Sequence, residues 1–467
     1  MAGDLAGKEA RLIRTDSCQT PERAALDQQP QPPKQLATRC CIVGGGPAGM
    51  MLGYLLARAG IDVSVLEKHG DFLRDFRGDT VHPSTMEVLY ELGLLDDFLK
   101  RPHNEARQVA GRIGGTLVTV ADFTHLPTHA KFIAFMPQWE FLNFLEEHGR
   151  RLPSFHLHMR TEAFDLIQAN DAITGVRAHS PEGDIEIKAD LVVGADGRHS
   201  IVRQKASLRI LDLGAPMDVL WMRLSRHPGD PEQPLGNFNR GKIFVMLDRG
   251  DYWQCGYVIP KGGIDEVRAR GLEALRQDIS AIAPLADDRA REITDWDQVK
   301  LLSVAVDRLE QWYSPGLLCI GDSAHAMSPV GGVGINLAIQ DAVAAANILT
   351  GPLRSGTITL DDLKKVQKRR ELPTRLIQGL QVLIQNRVIR RALASQAQAQ
   401  LPWPLRLLRR WPLLRRIPAR VIGIGFRPEH VAAPHDRIEA EQARHLADGN
   451  DAPGQPKSGT DKMNPKA

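Results

Sequence analysis

Read as a pattern of apolar and polar positions, the chain becomes ordered at Cys40. Cys40-Cys41-Ile42-Val43 is a short unbroken apolar run, partly β-branched, as expected of a parallel strand buried on both faces. A glycine cluster, Gly44 to Gly49, follows directly. Met50 to Ala59 is then mostly apolar and free of proline, and it ends at Gly60, a helix C-cap signal. Ile61 to Glu67 alternates as a second strand, which completes one strand–helix–strand unit in about 30 residues. Far downstream, Ala189–Gly197 and Gly316–Asp322 repeat the strand pattern, and the Ala-rich stretch Gly334–Leu349 predicts a helix. Between these landmarks the rhythm changes. Val219–Leu224, Ile243–Leu247 and Tyr252–Ile259 are short strand candidates separated by Gly, Pro and Asp turns, which predicts an antiparallel sheet.

The pattern therefore predicts an α/β fold in which a discontinuous nucleotide-binding domain (38–110, 140–208 and 300–350) carries an inserted, mainly antiparallel β substrate domain (111–139 and 209–299). A basic helical segment occupies 351–435. Residues 1–37 and 436–467 are rich in polar residues and proline and are expected to be floppy tails. Composition narrows the picture further. Hydrophobic residues make up 43% and charged residues 25%, which excludes a wholly disordered chain or a collagen-like rod. The net charge of +3 provides no global field for nucleic acid. The five cysteines include no C-x-x-C pair, so no zinc or redox site is expected. No apolar leader and no uninterrupted apolar run of spanning length is visible, so a cytoplasmic protein is expected.

Gly44, Gly46 and Gly49 form G-x-G-x-x-G in the strand-to-helix context that this motif requires. Gly44 permits the tight turn, Gly46 lets backbone approach a diphosphate, and Gly49 lets helix and strand pack closely. With Pro47 and Ala48 they open a helix whose N-terminus attracts anions. Glu67 ends the second strand 21 residues after Gly46, where its carboxylate can accept from ribose hydroxyls; Lys68 follows it. The motif alone does not distinguish FAD from NAD.

Two more segments make that choice: Asp196-Gly197-Arg198, directly after one strand, and Gly321-Asp322 with Pro329, Gly331, Gly332, Gly334, Ile335 and Asn336 after another. With these three motifs in order over roughly 40–350, the chain resembles the para-hydroxybenzoate hydroxylase-like, single-component FAD monooxygenases. The resemblance implies a Rossmann-like FAD domain of the glutathione reductase type. It implies that Asp322 binds the ribityl chain, and that Asp196 and Gly197 lie by the diphosphate and the nicotinamide cofactor; for Asp196 alone a plain turn role is equally open. It implies that the backbone of Pro329, Gly331 and Gly332 faces the flavin, that Arg77 and Gln138 touch the cofactor, and that His325 supports its loop. It further implies a cycle in which NADPH or NADH reduces FAD, O₂ adds at C4a, and the hydroperoxide hydroxylates or epoxidises a small hydrophobic substrate that is aromatic, polyketide-like or isoprenoid. Competing readings are an O₂-independent reductase of the geranylgeranyl-reductase type, a halogenase (against which stands the missing W-x-W-x-I-P motif), and a non-catalytic flavin-binding protein. For the substrate face, Trp221 and Arg223 or Trp253, Cys255 and Tyr257 are candidates, with His82 in addition; ordinary sheet core is the competing expectation for each.

Leu372–Pro428 contains eleven arginines and no Lys, Asp or Glu. Pro402, Pro404, Pro412 and Pro418 should divide residues 401–428 into short helices. Arginine interleaved with Trp and Leu suits either peripheral contact with an anionic membrane or packing on the protein's own body. Nucleic acid is not expected, and a homodimer is left open.

Overall fold

The computed structural model describes residues 33–73, 80–230, 235–285, 289–395 and 397–432. The protein is a mixed α/β structure built on two sheets. The larger has eight strands. Its path runs Tyr313–Ser314, Leu317–Cys319, Gly183–Gly194, Lys34–Val43, Val63–Leu66, Phe155–His158, and Glu162–Ala169 and Ala172–Ser180 extend Gly183–Gly194 as a meander. The four central pairings are parallel, with Cys40 in register with both Leu191 and Val63. Cys40 to Val43 and Leu191 to Val193 are buried, as continuous apolar runs between helical layers should be. The first strand starts at Lys34, inside the stretch expected to be floppy. Lys34 to Ala37 pair with Ile185–Lys188, so the backbone ladder orders four residues that form no continuous apolar run.

Helix Pro47–Arg58 lies against the sheet and against helix Gly334–Ser355. The stretch Val330–Ser355 is long and apolar enough to cross a membrane, but 78% of its apolar window is buried in this core, so it acts as the central helix of the fold. Helix Leu360–Ile384 packs behind it and contributes Leu363 and Val366 to the same core.

The second sheet has seven strands in the order Lys300–Leu302, Met217–Ser225, Tyr252–Pro260, Lys242–Asp248, Leu235–Asn239, Gln108–Ile113, Thr116–Asp122. All pairings are antiparallel except Leu235–Asn239 with Gln108–Ile113. Residues 108–110 and 300–302, assigned by pattern to the nucleotide-binding part, therefore belong to this sheet. Such short strands are placed by their partners and have no distinctive pattern of their own. Alternation divides the sheet faces. Leu220, Met222, Trp253, Cys255 and Tyr257 are buried with Leu275 and Ile279 of helix Leu272–Ile282. Met217, Val219, Trp221, Ile243 and Val258 form the opposite face, where Val330 and Ile389 join them. A small sheet of Thr80–Val81, Asn104–Ala106 and Ile133–Phe135 completes the fold.

Candidate active site

The glycine motif makes a cradle whose conformation excludes side chains at two positions and leaves one position open. Gly44 has φ +111°, and a Cβ there would lie 2.4 Å from the Ala195 carbonyl oxygen. A Cβ on Gly49 would lie 2.0 Å from the Gly44 carbonyl oxygen. Gly46 is different: a Cβ there would meet nothing nearer than 4.0 Å, so the space before its Cα is free. Gly46 caps helix Pro47–Arg58, whose first turn has no acid and no side-chain cap. Its leading N–H groups and positive dipole end thus face an open approach, which fits a diphosphate.

Glu67 accepts from Gly45 N at 3.2 Å and from His69 N at 3.0 Å. The Glu67 side chain lies against the mouth of the turn: a Cβ on Gly45 would stand 2.9 Å from Glu67 Cβ and 3.0 Å from its Oε2. Lys68 lies apart from these groups, on the surface, with its Nζ 3.7 Å from Glu162 Oε1. Gln138 opens helix Gln138–Gly149, which packs beside helix Pro47–Arg58. Arg77 falls at 74–79, outside the described residues.

The second and third motifs converge on the same edge. The imagined Gly44 Cβ also lies 2.7 Å from Asp196 N. One Asp196 oxygen accepts from Val202 N at 3.2 Å, and the other is buried without a partner among the described residues. Burial pushes this carboxyl above the usual range, against hydrogen bonds from Ser200 and backbone amides. Gly197 follows at φ +83°. Gly321, at φ +60°, fits between the two major helices: a Cβ would lie 3.1 Å from Ala48 Cβ and 3.3 Å from Ala338 Cβ. Asp322 is exposed beside it.

The loop from Pro329 turns through Gly331 (φ +83°) and Gly332 (φ +62°) into Gly334, the uncapped, acid-free start of the central helix. Ile335 is buried in the core. The Asn336 side chain is engaged by the protein itself. Its Oδ1 accepts from His82 N at 2.9 Å and Thr85 Oγ1 at 2.7 Å, and its Nδ2 donates to Thr80 O and Gly332 O at 3.4 Å. It fixes the loop to residues 80–85, aided by Thr80 Oγ1 donating to Gly332 O at 2.8 Å.

The residues that brace this loop from behind are not among those the sequence singled out. Gln378 Nε2 donates to Asp307 O and Ala326 O. Gln381 accepts from Ser328 N at 3.2 Å and donates to Ser328 O at 3.0 Å and Val330 O at 2.9 Å. Gln385 Nε2 donates to Ser328 Oγ. All three are buried, one helical face apart at i, i+3, i+7. Buried glutamines at that spacing are the only sequence trace of the brace.

His325 supports structure in this arrangement. Its Nε2 lies 2.5 Å from Asp341 Oδ2, which also accepts from Gly321 N at 3.1 Å. Arg370 Nε donates to Asp341 Oδ1 at 3.0 Å, and Arg370 continues to Glu429 at 3.2 Å. Burial pushes the Asp341 carboxyl up, but the charges and hydrogen bonds of His325 and Arg370 outweigh that and hold it below the usual range. His82 is also buried and structural. Its Nδ1 lies 2.8 Å from Ile422 O, and because a carbonyl only accepts, that nitrogen carries the proton. Burial lowers its pKa to about 4.

Of the two proposed substrate faces, Trp253, Cys255 and Tyr257 are enclosed under helix Leu272–Ile282. Trp221 lies on the face that meets Val330 of the glycine loop, and Arg223 is exposed with its guanidinium 4.9 Å from the Tyr252 ring. One surface groove lies elsewhere, lined by Ala37, Ile173, Asp190 and Leu360, and none of the motif residues borders it.

A family model described as FAD binding domain matches residues 37–378. The chain is 31% identical to the 6-methylpretetramide 4-monooxygenase of Streptomyces rimosus, over 84% of this chain and 94% of that protein. It is 28% identical to the para-nitrophenol 4-monooxygenase of a Pseudomonas strain, over 69% and 80%. A probable FAD-dependent monooxygenase from Pseudomonas aeruginosa shares the fold, with TM-score 0.65 at 22% identity over 77% of this chain and 98% of that one.

Proposed function

The chain belongs to the FAD-binding-domain family and is an FAD-dependent monooxygenase, and on that premise we propose that it oxygenates a flat, apolar aromatic or polyketide-like substrate with NADPH or NADH and O₂. The reading of a Rossmann-like domain of the glutathione reductase type, with the seven-stranded sheet as its substrate unit, goes with this proposal. FAD held by these residues would supply the redox chemistry, accepting hydride from the nicotinamide so that one oxygen atom of O₂ could pass to the substrate and the other leave as water.

The chain's own residues divide the remaining work. Gly44 and Pro47 shape the turn, and Gly46, Ala48 and Gly49 present backbone N–H groups to the diphosphate. Glu67 accepts from the ribose hydroxyls, and its negative charge disfavours a 2′-phosphate there. Gly321 sets the backbone so that Asp322 reaches the ribityl chain, and Asp196 with Gly197 borders the diphosphate. The backbone of Pro329 to Gly334 faces the flavin ring, and the positive end of the central helix stabilises negative charge that develops there. Met217, Val219, Trp221 and Val258 offer an apolar wall opposite that loop, suited to a flat substrate and to excluding water.

One observation carries this reading: Gly44 against Ala195, and Gly321 between Ala48 and Ala338, bring three segments distant in sequence to one edge where two uncapped helix starts open. The test is a flavin spectrum of the purified protein, followed by a screen of phenolic and polycyclic compounds for stimulated NAD(P)H oxidation and for ¹⁸O incorporation from ¹⁸O₂. A colourless protein that takes up no FAD on reconstitution overturns the cofactor placement. Bound FAD without oxygen incorporation into any aromatic or polyketide compound overturns the substrate class.

A further inference from the structure

Packing accounts for only half of the arginine-rich C-terminal stretch. Helix Trp403–Arg410, the turn Pro412–Arg415 and helix Arg416–Gly423 lie against strand Thr116–Asp122. Leu405, Leu408 and Leu414 are half-buried there, and Ala419 is fully buried. The outer side is unusual for a protein surface. Trp403, Trp411, Leu413 and Ile417 are 57–70% exposed within 15 residues, and Leu407 is exposed between them. Large apolar side chains exposed singly need no explanation, but a contiguous group does.

Charge surrounds this group. Arg406, Arg409, Arg410, Arg415, Arg416 and Arg420 fall in the same stretch, which has no acid. Among the described residues none of the six forms an ion pair. Arg415 donates to Leu408 O at 3.1 Å, and the Arg410 guanidinium lies 5.8 Å from the centre of the Trp411 ring.

A second exposed row extends the surface. Leu372, Leu376, Leu380 and Leu383 recur at helical spacing on helix Leu360–Ile384. The two elements meet at a groove lined by Pro373 and Ile377 on one side and by Val421, Ile424 and Phe426 on the other. Leu372 and Leu376 directly precede Pro373 and Ile377 in sequence, and Ile417 precedes Val421 by one helical turn.

We propose that this face docks on an anionic lipid bilayer, with Trp403, Trp411, Leu413 and Ile417 entering the headgroup boundary and the arginines engaging lipid phosphates. Short amphipathic helices with Trp and Arg lie in such an interface, and each basic residue near an anionic surface adds to the attraction. A second copy of the chain is a poor occupant, because a two-fold contact would set the unpaired arginines of both copies against one another. A nucleic-acid backbone would satisfy the arginines and leave the apolar rows in water. The proposal is independent of the substrate assignment.

The test is co-sedimentation of the full-length, FAD-loaded protein with phosphatidylcholine vesicles, with and without about one part in three phosphatidylglycerol. The anionic vesicles should carry the protein down, neutral vesicles far less, and added salt should release it. Arg409→Glu with Arg410→Glu should lower partitioning at least about tenfold. Trp403→Ser with Leu413→Ser should lower it similarly, while flavin content and NAD(P)H oxidation stay as in the parent. Equal, negligible sedimentation with both vesicles overturns the proposal. So does tighter binding to a random-sequence DNA duplex, or a dimer in light scattering that the Trp403→Ser, Leu413→Ser variant converts to monomer.

Discussion

At the residue scale, the three motif glycines do different jobs, and substitution separates them. Gly46 has φ −75° and open space where a Cβ would sit, so Gly46→Ala should fold normally and even gain about 0.5 kcal/mol through the unfolded state. The new methyl group would stand where a diphosphate approaches, so FAD retention should fall at least about tenfold, as read by fluorescence titration of the apoprotein. Gly49→Ala would drive a methyl group to within 2.0 Å of the Gly44 carbonyl oxygen and should lower Tm whether or not FAD is present. Equal Tm losses in both variants would remove the distinction. His82 is a residue whose role the sequence did not show, since its partner Ile422 lies 340 positions away. Its pKa is depressed by burial from 6.5 to about 4, so between these values the unfolded chain binds more protons than the folded one. Stability is therefore complete above about pH 6.5 and is lost as pH falls toward 4, by up to about 3 kcal/mol. Denaturation midpoints from pH 7 to pH 4 should fall more steeply for the parent than for His82→Gln.

At the element scale, legibility followed burial pattern. The apolar end of the first strand, Cys40–Val43, and the strands over 219–224, 243–247 and 252–259 were readable because parallel core strands are continuous apolar runs and half-covered strands alternate. Helix Leu360–Ile384 fell within the expected basic helical segment, but its packing was not legible, because its inward face carries Gln367, Arg370, Gln378 and Gln381, which read as solvent-facing. Their burial is supported by hydrogen bonds to backbone groups and carboxylates of other segments, which no single-chain pattern reveals. Gln381→Leu tests the brace. It would leave the Ser328 and Val330 carbonyls unpartnered on that side, at a cost of about 2–3 kcal/mol in urea denaturation, and it should weaken FAD retention. Gln367→Leu, which acts on Trp312 and Glu310 away from the loop, should lower stability without changing FAD affinity. If both variants change FAD affinity alike, the loop-specific role of Gln381 is wrong.

At the scale of the whole molecule, the C-terminal stretch is both strap and surface, and the sequence alone left these two readings level. The surface side carries the arginines and tryptophans. The strap side was hidden because its contacts are distant in sequence: a Cβ on Gly423 would meet Leu126 and Phe123, Asn347 Nδ2 donates to His430 O at 2.8 Å, and Glu91 accepts from Val431 N at 2.7 Å. Glu429, the one acid from Leu372 to His430, is the main lock, buried with its carboxylate 2.7 Å from Arg369 Nε and 3.2 Å from the Arg370 guanidinium. Arg370 in turn reaches Asp341, and Asp341 reaches Gly321 N and His325, so the lock is continuous with the backbone that sets Asp322. Glu429→Ala should therefore destabilise the chain by about 3 kcal/mol, because it leaves a buried guanidinium with less compensation. The loss should be local before it is global. Trypsin should cut after Arg420 under native conditions in the variant and not in the parent, since cleavage there requires the strap to lift. FAD retention should weaken together with that cleavage, because the same chain of charges ends at Gly321. A variant that is cut readily yet holds FAD as tightly as the parent would show that the strap and the cofactor edge are energetically separate.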